Sequence, residues 1–317
     1  MDEMRVAQYD RYGPPEVLYE AKAPMPVVKP GEVLVRVHGA SVNGGELMMR
    51  AGKLRLFFPR TFPKRTGIDF AGDVVRAAEG VPGPKVGDHV WGMVSRFVGG
   101  SVAEYVAVRP RQLSPSPAGL DLVTAAALPV ATTAITAFRD HARLKPGERL
   151  LVRGAAGGVG SVAVQLGRHY GAHVTGLAGA KNLDLVRELG AHEVFDYRTT
   201  GPGDLGEFDV VLDTVGSSLP AYRGLLAKGG RMVGISFDSA ASVGYVLLST
   251  VFGSRRVRFF SGNPTHALFA ELTRLVEAGA IRPVVDTVHD LADISAAHRA
   301  LEAGGVRGKH VIRLTRD

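Results

Sequence analysis

Chemistry is most legible where a strand gives way to a helix on glycine, in LVRGAAGGVGSVAVQL, Leu151 to Leu166. The spacing there is Ala155-x-Gly157-x-x-Gly160, a dinucleotide fingerprint with alanine in the first glycine place. Without a Cβ at Gly157, a pyrophosphate can approach the backbone, and Gly160 lets the helix pack close to the sheet. The N–H groups of Ala156, Gly157, Gly158 and Val159 then face the anion, aided by the positive end of the helix dipole. Glycine-rich turns also serve packing alone. Here a strand precedes, an amphipathic helix follows, and a second strand, HVTGLAG, arrives at the expected distance, which favours a dinucleotide.

The end of that second strand chooses the cofactor. A carboxylate there would hold the ribose 2′-OH of NAD(H), but LAGAKN, Leu177 to Asn182, has none and supplies Lys181 just after Gly179. A cation suits a 2′-phosphate and hence NADPH; the alternative is an exposed lysine at a helix start. Tyr197 and Arg198, beyond the next strand, belong either beside the adenosine end or to open surface.

These residues need a scaffold, and the chain supplies one in two styles. The first third is β-rich, with GEVLVRVHGASV, AGDVVRAA, GDHVWGMV and GSVAEYVAV set apart by Gly and Pro turns. From about Leu120 the pattern becomes helical in LVTAAALPVATTAITAFRDHARL, then alternates strand and helix through RLLVRG, SVAVQLGRHYGA, HVTGLAG, NLDLVRELGA, EVFDY, FDVVLDTVG and LAKGGRMVGIS. That alternation is the βαβ signature of a doubly wound parallel sheet. A length of 317 residues with 45% hydrophobic content suits two domains.

Composition removes several classes. Cysteine is absent, which excludes disulfides, thiolate catalysis and cysteine-ligated zinc or iron–sulfur sites. The ten histidines read as scattered residues rather than a ligand set, so no metal site is expected. The net charge of +7 is spread along the chain; only KLRLFFPRTFPKR and RRVR are basic clusters, and neither belongs to a nucleic-acid module. No run of 18 apolar residues and no charged-then-apolar leader pattern appears, so a cytoplasmic protein without membrane attachment is expected.

Several motifs in order resemble the zinc-free quinone oxidoreductase branch of the medium-chain dehydrogenase/reductase superfamily. YDRYGPPEVL resembles its opening strand and turn, SVNGGELMMRAG its Asn-Pro-x-Asp-x-x-x-Arg-x-Gly segment, and TGIDFAGDVV its Gly-x-Asp-x-x-Gly-x-Val segment. VGDHVWGM and GGSVAEYVAV resemble the strands beyond, and LKPGERLLVRGAAGGVGSVAVQLGRHYGA the cofactor motif. The resemblance implies an α/β fold: a GroES-like β-rich catalytic domain over residues 1–120 and 281–317, and a Rossmann domain over 121–280. It also implies a homodimer.

Residue roles follow from the same resemblance. Asn43 matches an asparagine beside nicotinamide and substrate, where its amide would donate to a carbonyl; otherwise it caps a loop. Thr133 matches a threonine near the nicotinamide ribose, and Ile235, Phe237, Phe260 and Ser261 are expected to line the nicotinamide pocket unless they are ordinary core. Zinc-dependent relatives carry Gly-His-Glu where this chain has Gly67-Ile68-Asp69. Without zinc as Lewis acid, quinones and conjugated enones are better acceptors than simple alcohols are donors.

Three departures bear on this. Gly44 and Glu46 replace the motif's Pro and Asp, and Met48 and Leu54 fall near positions where some quinone reductases carry tyrosine, which implies a rim without phenolic donors and an apolar substrate. Gly179-Ala180-Lys181 replaces Ser-Thr-Arg, so the NADPH preference should be modest and NADH usable. The expected activity is zinc-independent, NADPH-dependent reduction of a quinone; the alternatives are an enone reductase, or a non-catalytic cofactor-binding or RNA-binding protein using the basic loop Lys53 to Arg65. An alcohol dehydrogenase without zinc would need a proton-transfer residue that the sequence does not single out.

Overall fold

Val33, Val35 and Val37 alternate with Leu34, Arg36 and His38, and the three valines are completely buried while Arg36 reaches solvent. That is the pattern of a strand with one face in a core. A computed structural model describes residues 2–55, 61–95, 98–237, 245–246, 249, 257–260 and 262–315. The chain divides into two compact units, one of Met1–Pro129, Pro264–Gly279 and Pro283–Asp317, the other of Val130–Asn263 and Ala280–Arg282.

The first unit begins with β1 (Glu3–Tyr9), β2 (Tyr19–Pro24), β3 (Val33–Ser41), the short helix α1 (Gly44–Arg50) and β4 (Lys64–Arg65). Next come β5 (Asp69–Ala77), β6 (His89–Met93), β7 (Tyr105–Val108), β8 (Leu113–Pro115) and α2 (Leu122–Ala125). β1 pairs antiparallel with β2 and β4. The larger sheet runs in the order β15, β16, β3, β5, β6, β8, where β15 (Val285–Asp290) and β16 (Lys309–Arg313) come from the far end of the chain. β16 lies antiparallel to β3, pairing Val311 with Ser41, so the last strand completes the sheet of the first third. Its core gathers Val35, Phe70, Val90, Leu113, Ile294 and Ile312.

The second unit holds α3 (Thr132–Thr136), β9 (Arg149–Arg153), α4 (Gly158–His169), β10 (His173–Ala178), α5 (Leu183–Glu188) and β11 (Glu193–Asp196). It continues with β12 (Phe208–Asp213), α6 (Leu219–Gly224), β13 (Leu226–Gly234) and β14 (Val257–Phe259). All six strands are parallel, in the order β11, β10, β9, β12, β13, β14. Leu150, Leu151, Val152, Val210, Val211 and Leu212 are completely buried, as parallel strands covered on both faces require. The strand order reverses between β9 and β12, the switch point where open α/β sheets bind ligands at carboxyl ends.

The domain limits differ from those drawn on sequence. From sequence the Rossmann segment is 121–280, whereas helix α7 (His266–Glu277) belongs to the first unit. Side-chain bonds explain why: Trp91 Nε1 donates to Thr273 Oγ1 at 3.1 Å, Thr273 donates to the Pro115 carbonyl at 2.8 Å, and His266 Nδ1 meets the Leu113 carbonyl at 2.8 Å. Helix α8 (Ile294–Ala303) also packs in the first unit. The apolar Leu122–Ala142 stretch is long and apolar enough to cross a membrane by length and composition, but 72% of its apolar window is buried inside the fold.

Candidate functional site

The strand β9 ends at Arg153, and the chain turns through Gly154 at φ +70°, a conformation that favours glycine, before α4 starts on the N-cap residue Gly157. A Cβ at Gly160 would fall onto the Gly154 carbonyl oxygen, so this close approach of helix to turn needs glycine. At Gly157 a Cβ would meet only the same oxygen, at 3.4 Å. Ala156 is buried, while Gly157, Gly158 and Val159 are half-buried and keep the first turn of a 12-residue helix accessible. An accessible first turn of this kind fits an anionic phosphate.

A second loop is tied to this turn. Arg153 and Asp213, the last residues of β9 and β12, form a buried ion pair, and Arg153 Nη1 also donates to the Ser217 carbonyl at 2.7 Å. Its guanidinium lies 3.5 Å from the ring centroid of Tyr222. The other Asp213 oxygen accepts from the N–H groups of Val215 and Gly216 at 2.8 and 2.7 Å, and Thr214 Oγ1 donates to the Arg153 carbonyl at 2.8 Å. The loop after β12 is therefore fastened at the carboxyl edge of the sheet. Ile235 N–H donates to the Asp213 carbonyl at 3.0 Å, which brings the chain after β13 to the same edge.

Ile235 and Phe237, expected to line the nicotinamide pocket, follow β13 at this edge of the sheet, both half-buried, and Phe237 packs on Phe259 with centroids 4.3 Å apart. Phe260 instead stacks on His141 at 4.4 Å. Thr133 is half-buried on α3, which packs against α4. Ser261 lies outside the described residues.

At the other end, Gly179 follows β10, and Lys181 is exposed in the turn Ala180–Asn182. The Arg198 guanidinium lies 3.0 Å from the place a Cβ on Gly179 would take, and Tyr197 Cε1 lies 3.5 Å from it. Arg198 Cζ is 4.9 Å from the Tyr197 ring centroid, and Tyr197 is 51% exposed. Tyr197 and Arg198 thus stand beside Gly179, while Tyr197 also reaches solvent. Two cations and an aromatic face at the end of the second strand fit a phosphorylated ribose.

The first unit carries a different kind of chemistry. Asn43 occupies the N-cap position of α1, yet its side chain makes no capping bond. Its Nδ2 donates to Glu46 Oε1 at 2.9 Å and Asp69 Oδ2 at 3.0 Å, with the Ser41 carbonyl at 3.3 Å, and its Oδ1 accepts from Lys309 Nζ at 2.5 Å. Lys309 also donates to the Val42 carbonyl at 2.9 Å and lies 3.6 Å from Asp69 Oδ2, which receives the Ser41 hydroxyl as well. Thr66 Oγ1 donates to Glu46 Oε2 at 3.2 Å. Asn43, Glu46, Asp69 and Lys309 are all buried.

This geometry adds partners that the sequence did not lead one to expect for Asn43. Both amide hydrogens are directed at carboxylates, so the side chain bridges a buried charged cluster, and a ligand oxygen would have to compete for one of them. Burial pushes the Glu46 carboxyl up to about 7, with Asp69 adding to the rise and Asn43, Lys309 and Thr66 opposing it. Burial likewise lowers Lys309, against the pull of Asp69 and Glu46.

A cavity of about 650 Å³ opens in the same unit, lined among others by Tyr9, Tyr12, Met49, Leu54, Arg65 and Val98. Two phenols, Tyr9 and Tyr12, thus share this cavity with Leu54, near which the sequence led one to expect a rim without phenolic donors. Glu46 and Thr66 line a narrow space that shares Tyr9, Met49, Arg65 and Gly99 with this cavity.

Lys309 was not singled out by sequence. Its signal is a lysine opening the apolar strand KHVIR, where a charge needs a buried partner. Among the described residues no group of three or more His, Asp or Glu could hold a metal. His169 and His173 do have four-residue spacing, contrary to the scattered pattern expected, but one ends α4 and the other opens β10, so they share no helix face.

Residues 29–118 match the family described as alcohol dehydrogenase GroES-like domain, and residues 189–312 the family described as zinc-binding dehydrogenase. The quinone-oxidoreductase homolog, chloroplastic, of Spinacia oleracea is 31% identical over 322 residues, covering 98% of this chain and 98% of that protein. The NADPH-dependent alkenal/one oxidoreductase, chloroplastic, of Arabidopsis thaliana is also 31% identical, over 98% of this chain and 79% of its own length. The solved structure of the quinone oxidoreductase from Coxiella burnetii superposes with a TM-score of 0.90 at 29% identity, covering 99% and 100% of the two chains.

Proposed function

The chain belongs to the medium-chain dehydrogenase/reductase superfamily as a quinone-oxidoreductase-like member, and from that premise we propose that it reduces a quinone or conjugated enone with NADPH, without zinc. The observation that carries the proposal is the accessible first turn of α4, with Gly154 and Gly160 packed together and the Arg153–Asp213 pair fastening the neighbouring loop. Ala156 to Val159 would hold the pyrophosphate by backbone N–H groups, and Lys181 with Arg198 and Tyr197 would hold the 2′-phosphate end. Ile235, Phe237 and Thr133 would bound the nicotinamide side. When bound, the nicotinamide supplies the hydride.

Zinc does not fit the residues at hand. The sequence has no cysteine, and Asp69, where zinc-dependent relatives carry the glutamate of Gly-His-Glu, has its Oδ2 engaged by Lys309, Asn43 and Ser41. An ammonium already faces the carboxylate that a metal would need. Conjugated acceptors suit such a site, since the incoming charge spreads onto oxygen and needs only hydrogen bonds. Asn43 can offer one to an acceptor oxygen by giving up a contact with a carboxylate.

Enone reduction uses the same site, and the alkenal/one oxidoreductase among the relatives supports keeping it within the proposal. A homodimer is part of the proposal: β14 ends the order of the parallel sheet and carries Phe259, 41% exposed, at its end. The test is NADPH oxidation by chelated protein with 1,4-benzoquinone, 9,10-phenanthrenequinone, an enone and an aldehyde, with NADH in parallel. Turnover of quinone or enone, faster with NADPH, is expected; turnover of the aldehyde alone would contradict the reading.

A further inference from the structure

We propose that Lys309 and Glu46 are positioning residues that control the amide of Asn43, Lys309 by anchoring its oxygen and Glu46 by releasing one of its hydrogens on taking up a proton. The proposal rests on Asn43 meeting the acceptor oxygen in the function proposed above.

The orientation of the amide follows from its neighbours. An ammonium only donates and an ionised carboxylate only accepts. With Lys309 Nζ 2.5 Å from Oδ1, and Glu46 Oε1 and Asp69 Oδ2 at 2.9 and 3.0 Å from Nδ2, a turn of the amide by half a rotation would set oxygen against oxygen and nitrogen against nitrogen. Lys309 therefore fixes which end of Asn43 carries the hydrogens. Both hydrogens are engaged, so an acceptor oxygen must compete for one of them.

The two carboxylates are not equally held. Asp69 Oδ2 receives the Ser41 hydroxyl and Asn43 and has Lys309 within 3.6 Å, although its Oδ1 is buried without a partner among the described residues; Glu46 accepts from Asn43 and the Thr66 hydroxyl and, among the described residues, has no cation within ion-pair distance. Two carboxylates facing one ammonium out of water leave an excess negative charge, and the less compensated carboxyl is where a proton relieves it. The other groups facing Glu46 do not change this. Asp69 on β5 opposes its ionisation, Lys309 on β16 favours it, Arg65 on β4 shares its narrow space, and Tyr9 on β1 is a neutral phenol, pushed up to about 12 chiefly by burial. A protonated Glu46 accepts more weakly, and the amide hydrogen it held becomes available beside the space it shares with the larger cavity.

The test measures kcat and KM against pH for the wild type, Glu46→Gln and Lys309→Met, together with NADPH affinity by fluorescence titration. The proposal expects wild-type kcat to fall about tenfold as pH rises through neutrality, and Glu46→Gln to abolish that fall. Lys309→Met should lose about tenfold or more in kcat while NADPH affinity stays within about twofold. A Glu46→Gln profile identical to wild type, or a Lys309→Met kcat within about twofold of it, overturns the proposal. Should Lys309→Met fail to fold, the Glu46→Gln profile decides alone. If no acceptor is reduced, the functional reading fails separately, and infrared spectra below and above neutrality decide the control: a protonated-carboxyl band removed by Glu46→Gln supports it, and no such band in the wild type overturns it.

Discussion

Arg153 and Asp213 close a buried ion pair between the last residue of β9 and the last residue of β12, and through it the glycine turn and the loop Val215–Ser217 are held as one edge. Arg153→Met would leave Asp213 buried with only its two backbone N–H partners, at a cost of about 3–5 kcal/mol. Replacing both, as Arg153→Met with Asp213→Leu, should recover most of that stability, because no charge is left unpaired. Dinucleotide affinity should not recover, since the Val215 and Gly216 N–H groups lose their acceptor. Thermal unfolding and NADPH titration on the three variants separate the two effects.

The glycines of the turn should divide in the same way. Gly160→Ala drives a Cβ onto the Gly154 carbonyl, backbone against backbone, and should lower the thermal midpoint whether or not a dinucleotide is present. Gly157→Ala meets only one oxygen, at 3.4 Å, with φ at −76°, so the fold should absorb it. Its effect should fall on the dinucleotide, at about tenfold or more in affinity. A Gly157→Ala protein of normal stability that binds NADPH as tightly as wild type would remove the pyrophosphate from this turn.

Lys181 follows Gly179 in the turn after β10, and Arg198 lies against Gly179 from beyond β11; both should act on phosphate alone. Lys181→Ala and Arg198→Ala should each raise KM for NADPH about tenfold, the weight of one charge-assisted hydrogen bond of about 1.5–3 kcal/mol, and leave KM for NADH within about twofold. Equal losses with both cofactors would assign the pair to a general surface role.

Stability should depend on pH through Glu46. Its folded carboxyl is raised from 4.5 to about 7, so the folded state holds a proton more tightly than the unfolded chain does. That contribution is full below the unfolded value and is lost as pH rises through about 7, amounting to about 3 kcal/mol. Glu46→Gln should therefore melt at a higher temperature than wild type above neutrality, with the difference shrinking in acid. Calorimetric midpoints across this range check the sign.

The sequence made the second unit legible because its signals are local. Strand, glycine turn and helix lie within Leu151 to Leu166, and a parallel strand buried on both faces reads as an apolar run such as Leu150–Val152. The charged cluster was not legible in the same way. Asn43 and Lys309 are 266 positions apart and meet only because β16 pairs with β3, a register no local pattern encodes. The domain limit at 280 failed for a related reason: α7 looks like one more Rossmann helix until Trp91 and Thr273 are brought together. Tyr9 and Tyr12 reached the cavity beside Leu54 by the same long-range folding of β1.

The central claim is hydride transfer from a nicotinamide in a site that needs no zinc. Its most direct measurement uses chelated protein, NADPH carrying deuterium at C4 of the nicotinamide, and an enone whose reduced product is analysed by mass spectrometry. One deuterium on the product carbon β to the carbonyl, unaffected by chelation, is the predicted result. A product without deuterium, or activity abolished by chelation and restored by zinc, would contradict it.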